Sequence, residues 1–166
     1  PSKEKALDGN VKRIDVTTAA QMYEACVKLF PESDAAILTA AVADFRPKNV
    51  AGGKIKKEEG GISEVELEET QDILASLGKM KKSGQILVGF ALETDNESAN
   101  AKSKLERKNL DFIVMNSLRD AGAGFGTDTN KIAVFTRDGK THNFELKPKN
   151  EVAQDIADVL YTYLSA

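Results

Sequence analysis

Two lysines four residues apart, Lys104 and Lys108, sit in a stretch of helical periodicity. With Ala101 and Leu105 they follow the i, i+3, i+4, i+7 rule, so all four share one helix face. That face should pack against a sheet. Lysines placed there either lay their stems over apolar surface and send the ammonium to water, or converge on one anion such as a triphosphate. The spacing leans slightly to the first. A second group closes an alanine-rich run, Ala40-Ala41-Val42-Ala43-Asp44, just ahead of Phe45-Arg46-Pro47. Small side chains let a ligand approach the backbone. The Asp44 carboxylate offers an acceptor to a ribose hydroxyl or a base amine, or equally caps a turn before Pro47. Phe90 can stack on a base or sugar, although an aromatic in a buried strand ordinarily belongs to the core. Lys54 follows Gly52-Gly53, which permits wide backbone motion. Lys54 and Lys56 would share one face of an extended segment, either as a flap over a site or as a solvated basic hairpin.

Other reactive residues are few. The chain has one cysteine, Cys26, and one histidine, His142. An intrachain disulfide, a multi-cysteine zinc site and a histidine-rich metal centre are therefore excluded, and no protein metal ligands are expected. Cys26 reads as a small core residue on an amphipathic helix. His142 lacks a G-x-S-x-G elbow elsewhere in the chain and reads as a surface residue. Gly122-Ala123-Gly124-Phe125-Gly126 falls short of G-x-G-x-x-G, so it reads as a mobile loop rather than a dinucleotide fingerprint.

The elements that must position these groups follow from periodicity. Residues 11–16 (VKRIDV) read as a short strand. Thr17 and Thr18 can cap a helix with Met22, Cys26 and Leu29 on one face, ending before Pro31. Residues 34–43, 85–92 and 111–116 are nearly continuous apolar runs, as expected of strands covered on both faces. Helices are predicted over 72–82, 96–108 and 151–164. Residues 131–136 and 141–146 flank Arg137-Asp138-Gly139-Lys140, a hairpin turn. Alternating strands and helices predict an α/β, Rossmann-like fold, a mostly parallel sheet flanked by helices, with 34–43, 85–92 and 111–116 adjacent and parallel. Residues 54–57 (KIKK) and 64–69 (EVELEE) break the alternation. They read as a small β-hairpin through Gly60-Gly61, with lysines opposite glutamates. Its apolar face, Val65 and Leu67, would serve as a flap or dimerisation element. In an open parallel sheet ligands bind at the carboxyl ends of the strands, where Asp44 and the Phe90 segment fall.

Composition sets the outer limits. The 166 residues are 41% hydrophobic and 30% charged, as in an ordinary soluble globular domain with a sizeable core. A net charge of -3 argues against a general nucleic-acid binder. No apolar run approaches the roughly 20 residues that span a bilayer. The beginning of the sequence has no signal-peptide h-region, and a cytoplasmic location fits the low cysteine content.

Six strings, in this order and spacing, resemble the bacterial phosphopantothenoylcysteine synthetase family: AAVADFRP (40–47), KIKK (54–57), DILASL (72–77), VGFALET (88–94), KLERKNLD (104–111) and GFGTDTN (124–130). The resemblance covers residues 11 to about 160. It implies a Rossmann-like ligase domain of coenzyme A biosynthesis, often joined to a flavin-dependent decarboxylase half, so that flavin belongs to the other half and not to this chain. It implies a magnesium-bound nucleoside triphosphate, usually CTP, as substrate. The carboxylate of 4'-phosphopantothenate attacks the alpha phosphorus to give an acyl-cytidylate and pyrophosphate, and the amine of cysteine displaces CMP. The nucleotide contacts carried over are Asp44 with the neighbouring Ala40 and Ala41, Lys54, Gln71, Asp72, Ile73, Leu74, Phe90, Lys104 and Lys108, with Lys54 also cast as catalytic. The family usually has proline where Gln71 stands. A homodimer is also implied.

The sequence departs from the family in one respect. Family members carry, ahead of the matched part, a G-P-T-type loop and an S-N-H-S-S-G-K-M-G-like string that supply phosphate contacts. Neither string occurs here. Residues 1–166 are therefore expected to be a single ligase domain without its amino-terminal phosphate-loop segment. Two other functions stay open: a non-catalytic nucleotide-binding or assembly module, and a nicotinamide-dependent oxidoreductase, the latter disfavoured by the absent G-x-G-x-x-G.

Overall fold

The structure, a computed structural model, describes residues 10–55, 64–93, 97–117 and 126–165. A five-stranded sheet runs β1 (Ala35–Leu38), β4 (Ile86–Glu93), β5 (Phe112–Ser117), β6 (Thr129–Thr136) and β7 (Thr141–Pro148), in that spatial order. β1, β4 and β5 are parallel neighbours, as the three apolar runs predict. The direction then reverses: β6 is antiparallel to β5, and β7 to β6. The β6–β7 hairpin turns where Arg137-Asp138-Gly139-Lys140 requires it, with Gly139 at φ +85°, a left-handed conformation that glycine adopts without strain. A separate two-stranded sheet pairs β2 (Phe45–Pro47) with β3 (Leu67–Glu69).

The central strands have two apolar faces because both are covered. Leu87 and Ala91 of β4, with Ile113 and Met115 of β5, pack with residues of α1 (Ala19–Leu29), α2 (Ile73–Met80) and α3 (Glu97–Arg107). The alternate residues Ile86, Val88, Phe112 and Val114 face Val152 and Ile156 of α4 (Lys149–Leu164). The period of two thus divides one apolar run between two cores. The result is a Rossmann-like α/β layering, with three helices on one face and one on the other among the described residues. α2 and α3 are the crossovers of two successive parallel steps in the same direction, which puts them on one face.

Local signals set the ends of the elements. Thr18 caps α1 by accepting from the Gln21 N–H at 3.1 Å while Gln21 Oε1 accepts from the Thr18 N–H, a reciprocal capping box. Beyond α1 the chain tightens into a 3₁₀ turn around Pro31. Phe30 in that turn, 2% exposed, takes the core place expected of Leu29, which is 44% exposed.

Three expectations are corrected. Residues 11–16 form no strand, and Val11, Ile14 and Val16 are exposed, because no described strand lies alongside to complete a ladder. The run 34–43 contributes only four strand residues, and Ile37 is exposed: β1 is a sheet edge and not a strand covered on both faces. Among the described residues the acidic strand pairs with 45–47, where 54–57 was expected, so the charge pairs are Arg46–Glu68 at 2.7 Å and Lys48–Glu66. The segment 45–47 is tied in by Thr70, whose N–H donates to the Asp44 carbonyl and whose hydroxyl donates to that of Ala43. Lys54 lies outside any strand, and 56–63, with Lys56, Lys57 and Gly60-Gly61, fall outside the described residues.

Candidate functional site

Past its last strand residue, Leu38, β1 opens into the alanine-rich loop, which curls over the carboxyl end of the parallel strands. Thr70 fastens it, with the two bonds to Ala43 and Asp44 at 2.6 and 2.8 Å, so the loop lies beside the entry to α2. α2 begins at once. Asp72 is its N-cap, with Oδ1 accepting from the Ala75 N–H at 2.9 Å. The first-turn amides of a helix have no backbone partners within it and carry the positive end of its dipole. α2 reaches this position by close packing on β4: a Cβ at Gly89 would come within 2.8 Å of the Leu74 side chain.

Between these segments lies a cleft of about 170 Å³. Ala40, Asp44, Gln71, Asp72, Ile73, Leu74, Phe90 and Lys108 line it, eight of the eleven residues proposed from the sequence. Phe90 does two jobs: it packs against the α4-side core and lines the cleft. Ala41, Lys54 and Lys104 are not among the lining residues. Lys104 is half-buried on the same face as Lys108, with Ala101 and Leu105 buried between them and the sheet, so the shared stripe is present but only Lys108 reaches the cleft. Lys54 is exposed in the loop behind Gly52-Gly53. Lining residues that the sequence did not single out for the site are Met22, Leu38, Val42, Ala43 and Thr70. Thr70 carried a usable signal, a hydroxyl two residues before a helix cap. Met22 carried none, since its helical spacing reads as core.

The electrostatics of the cleft centre on one ion pair. Lys108 Nζ lies 2.8 Å from Asp72 Oδ2. Burial pushes the Asp72 carboxyl up, but the hydrogen bonds from Lys108 and from the Ala75 N–H together outweigh it and hold the group below its ordinary value. Asp72 therefore stays an acceptor. Asp44 is exposed at the cleft's other side. Two carboxylates, an aromatic edge and small loop residues suit a sugar or base bearing hydroxyls and amines, while the ammonium suits an anion. The cleft's volume is below the roughly 300 Å³ at which ligand pockets commonly begin. A space of this size suits the nucleoside part of a nucleotide, with any phosphate chain running out past Lys108. Among the described residues no group of three or more His, Cys, Asp or Glu is placed to hold a metal ion.

A larger groove of about 700 Å³ lies at the opposite end of the sheet, between the β6–β7 hairpin and α4. His142, exposed as expected, lines it together with Phe144, Val159 and Tyr163. The Gly122–Gly126 run falls outside the described residues except for Gly126, at φ +75°. No described helix is long and apolar enough to cross a membrane.

Residues 2–163 match the family described as "DNA/pantothenate metabolism flavoprotein C-terminal domain". A protein of an unknown prokaryotic organism named cysteine/cysteine sulfinic acid decarboxylase is 54% identical over 153 residues, 92% of this chain and 42% of that protein. The Bacillus subtilis (strain 168) coenzyme A biosynthesis bifunctional protein CoaBC is 47% identical over 148 residues, 89% of this chain and 36% of that protein. The crystal structure of the C-terminal domain of a coenzyme A biosynthesis bifunctional protein CoaBC superposes with a TM-score of 0.73 at 39% identity, over 92% of this chain and 67% of that one. The chain thus spans about two fifths of the length of these curated relatives.

Proposed function

From the premise that this chain belongs to the DNA/pantothenate metabolism flavoprotein C-terminal domain family, we propose that it carries the nucleotide site of a phosphopantothenate–cysteine ligase. Its nucleotide is CTP, brought in as the magnesium complex. Magnesium commonly binds through substrate phosphates and one or two carboxylates. The carboxylate of 4'-phosphopantothenate attacks the alpha phosphorus, pyrophosphate leaves, and the cysteine amine then displaces CMP from the acyl-cytidylate. The observation that carries this reading is the convergence of Asp44, Asp72, Phe90 and Lys108, from four separate segments, on one cleft at the carboxyl ends of parallel strands.

The residues divide the work by charge. Asp44 and Asp72 accept from ribose and base, and Phe90 lies against the ring. Lys108 turns from Asp72 toward the phosphates, whose greater negative charge competes for the ammonium. Lys104, on the same helix face, meets the outer phosphates. Lys54 acts from the loop: closure over the nucleotide would bring a cation to the charge that grows on the alpha phosphate and would exclude water from the acyl-cytidylate. Cysteine and 4'-phosphopantothenate enter from the open side. The apolar residues Phe45 of β2, Leu67 of β3 and Val65 just ahead of β3 are exposed and would form the contact of a homodimer.

The test is a titration of the chain with magnesium and CTP, followed by addition of 4'-phosphopantothenate and cysteine and measurement of pyrophosphate. Pyrophosphate release dependent on both substrates supports the ligase. CTP binding without turnover supports a second reading, a nucleotide-binding module; the small cleft, with Lys54 and Lys104 outside its lining, favours that reading for the chain alone. Absence of CTP binding removes both. ATP in place of CTP tests the base.

A further inference from the structure

Lys108 ends the last turn of α3, its N–H donating to the Lys104 carbonyl at 3.0 Å, and a complete Schellman cap closes the helix behind it. The Asn109 N–H donates to the Glu106 carbonyl at 3.2 Å and the Leu110 N–H to that of Leu105 at 2.9 Å. Asn109 takes the left-handed position, φ 53°. Glycine is the usual residue there, and asparagine adds a side chain that bonds through both its nitrogen and its oxygen. Its Nδ2 donates to the Gly78 carbonyl of α2 at 2.8 Å, and its Oδ1 accepts from Arg137 Nη2 at 2.6 Å. Arg137 in turn donates through Nε to the Leu110 carbonyl at 2.8 Å. One amide thus joins α2, the end of α3 and the β6–β7 turn.

The joint bears on Lys108 because α2 touches that lysine at both ends. The Lys108 carbonyl lies where a Cβ on Gly78 would stand, 2.0 Å away, so only glycine lets the backbones meet. The Lys108 ammonium reaches Asp72, the cap at the other end of the same helix. Six residues of helix span about 9 Å, within the length of an extended lysine with its backbone. Lys108 therefore lies along α2, and the Asn109–Gly78 bond fixes where along α2 its ammonium falls.

We propose that Asn109 is a positioning residue: by holding the end of α3 against Gly78 and Arg137 it sets the reach of Lys108 into the nucleotide cleft. This rests on the reading that Lys108 meets the nucleotide. The acting variant is Asn109→Gly, which keeps the left-handed turn and removes both side-chain bonds. Asn109→Asp keeps the acceptor for Arg137 and removes the donor to Gly78.

The experiment measures Mg·CTP affinity of the full chain by calorimetry for Asn109→Gly, Asn109→Asp, Lys108→Gln and the double variant Asn109→Gly/Lys108→Gln. It also follows the Asp72 carboxyl by NMR titration. Asn109→Gly should weaken CTP binding about three- to tenfold, the scale of one misplaced charged contact, and Asn109→Asp should weaken it to a similar or smaller degree. In the Lys108→Gln background Asn109→Gly should add nothing, whereas a merely structural role would lower affinity equally with or without the lysine. The Asp72 titration midpoint should rise in Asn109→Gly as Lys108 loosens. An effect on affinity that is the same in both backgrounds overturns the proposal, as does an unchanged Asp72 midpoint. If Lys108→Gln itself leaves CTP affinity unchanged, the nucleotide reading fails, and the Asp72 midpoint alone decides whether Asn109 positions the lysine.

Discussion

Replacing Gly78 with alanine sets two effects of opposite sign against each other. Gly78 lies inside α2, where alanine is favoured over glycine by about 1 kcal/mol. Against that stands the Lys108 carbonyl, 2.0 Å from the position of the new Cβ, and the Lys108 carbonyl carbon at 2.8 Å. Backbone atoms cannot rotate aside as a side-chain tip does, so the end of α3 must retreat by about 1 Å or more, and overpacking of this kind costs about 1–3 kcal/mol. The retreat also stretches the Asn109 bond to the Gly78 carbonyl, worth about 1 kcal/mol. The clash and the lost bond together outweigh the propensity gain, leaving a net loss of about 1–3 kcal/mol. For a chain of this size that lowers Tm by about 2–4 °C per kcal/mol. Thermal denaturation and urea titration measure it, with an unchanged m-value showing that stability moved and not the extent of unfolding. A Gly78→Ala variant as stable as the parent, or more so, would refute the claim that glycine is there for close approach.

Lys108→Gln should weaken Mg·CTP binding by about tenfold or more, since charge-assisted contacts contribute about 1.5–3 kcal/mol, while Tm stays within a few degrees; calorimetry and melting curves separate the two. Asp72, depressed in the folded state, contributes stability that is present above its ordinary value of 3.8 and is lost as pH falls through the lower folded value. The acid limb of a pH–stability curve should therefore flatten in Lys108→Gln. Asp111 is a half-buried anchor that accepts from Lys81 Nζ and from the Leu87 N–H at 2.7 Å, with the lysine side chain only 9% exposed. Asp111→Ala strands that ammonium and should cost about 3–5 kcal/mol, read as a lower urea midpoint. Val65→Lys with Leu67→Lys should convert a sedimenting dimer to monomer, and a wild-type chain that is monomeric at high concentration removes the dimer contact.

Periodicity made the parallel strands legible: Leu87 and Val88 differ only in which core they face, and an apolar run reports both faces at once. The same signal misled at residues 34–43, because a run cannot say how many of its residues find a partner, and β1 stops pairing at Leu38. The β2–β3 pairing was not legible either. Residues 45–47 and 54–57 are both short and carry basic side chains, and the pairing of 45–47 rests on Thr70 bonding to Ala43 and Asp44, a contact across 26 or 27 positions that no local pattern encodes. In the site, Phe90, Asp44, Lys108 and the 71–74 turn came together because each follows or borders a parallel strand. Gly78 and Asn109 escaped notice because their importance is mutual: a glycine in a helix and an asparagine after one are ordinary until they touch.

The ladders of the sheet differ in how far along the chain their strands lie. β6 and β7 are joined by a tight turn, whereas β1 meets β4 across roughly fifty residues and through only four register pairs, Ala35↔Ile86 to Leu38↔Gly89. Loop closure of that length is paid before those few pairs return anything, so β1 should dock late in folding and open first in native-state hydrogen exchange. The alanine loop that walls the cleft hangs from this strand. A nucleotide that bridges the loop to α2 and Lys108 would therefore clasp the last-formed seam of the molecule, and slowed amide exchange at residues 35–38 would register its arrival far from any phosphate.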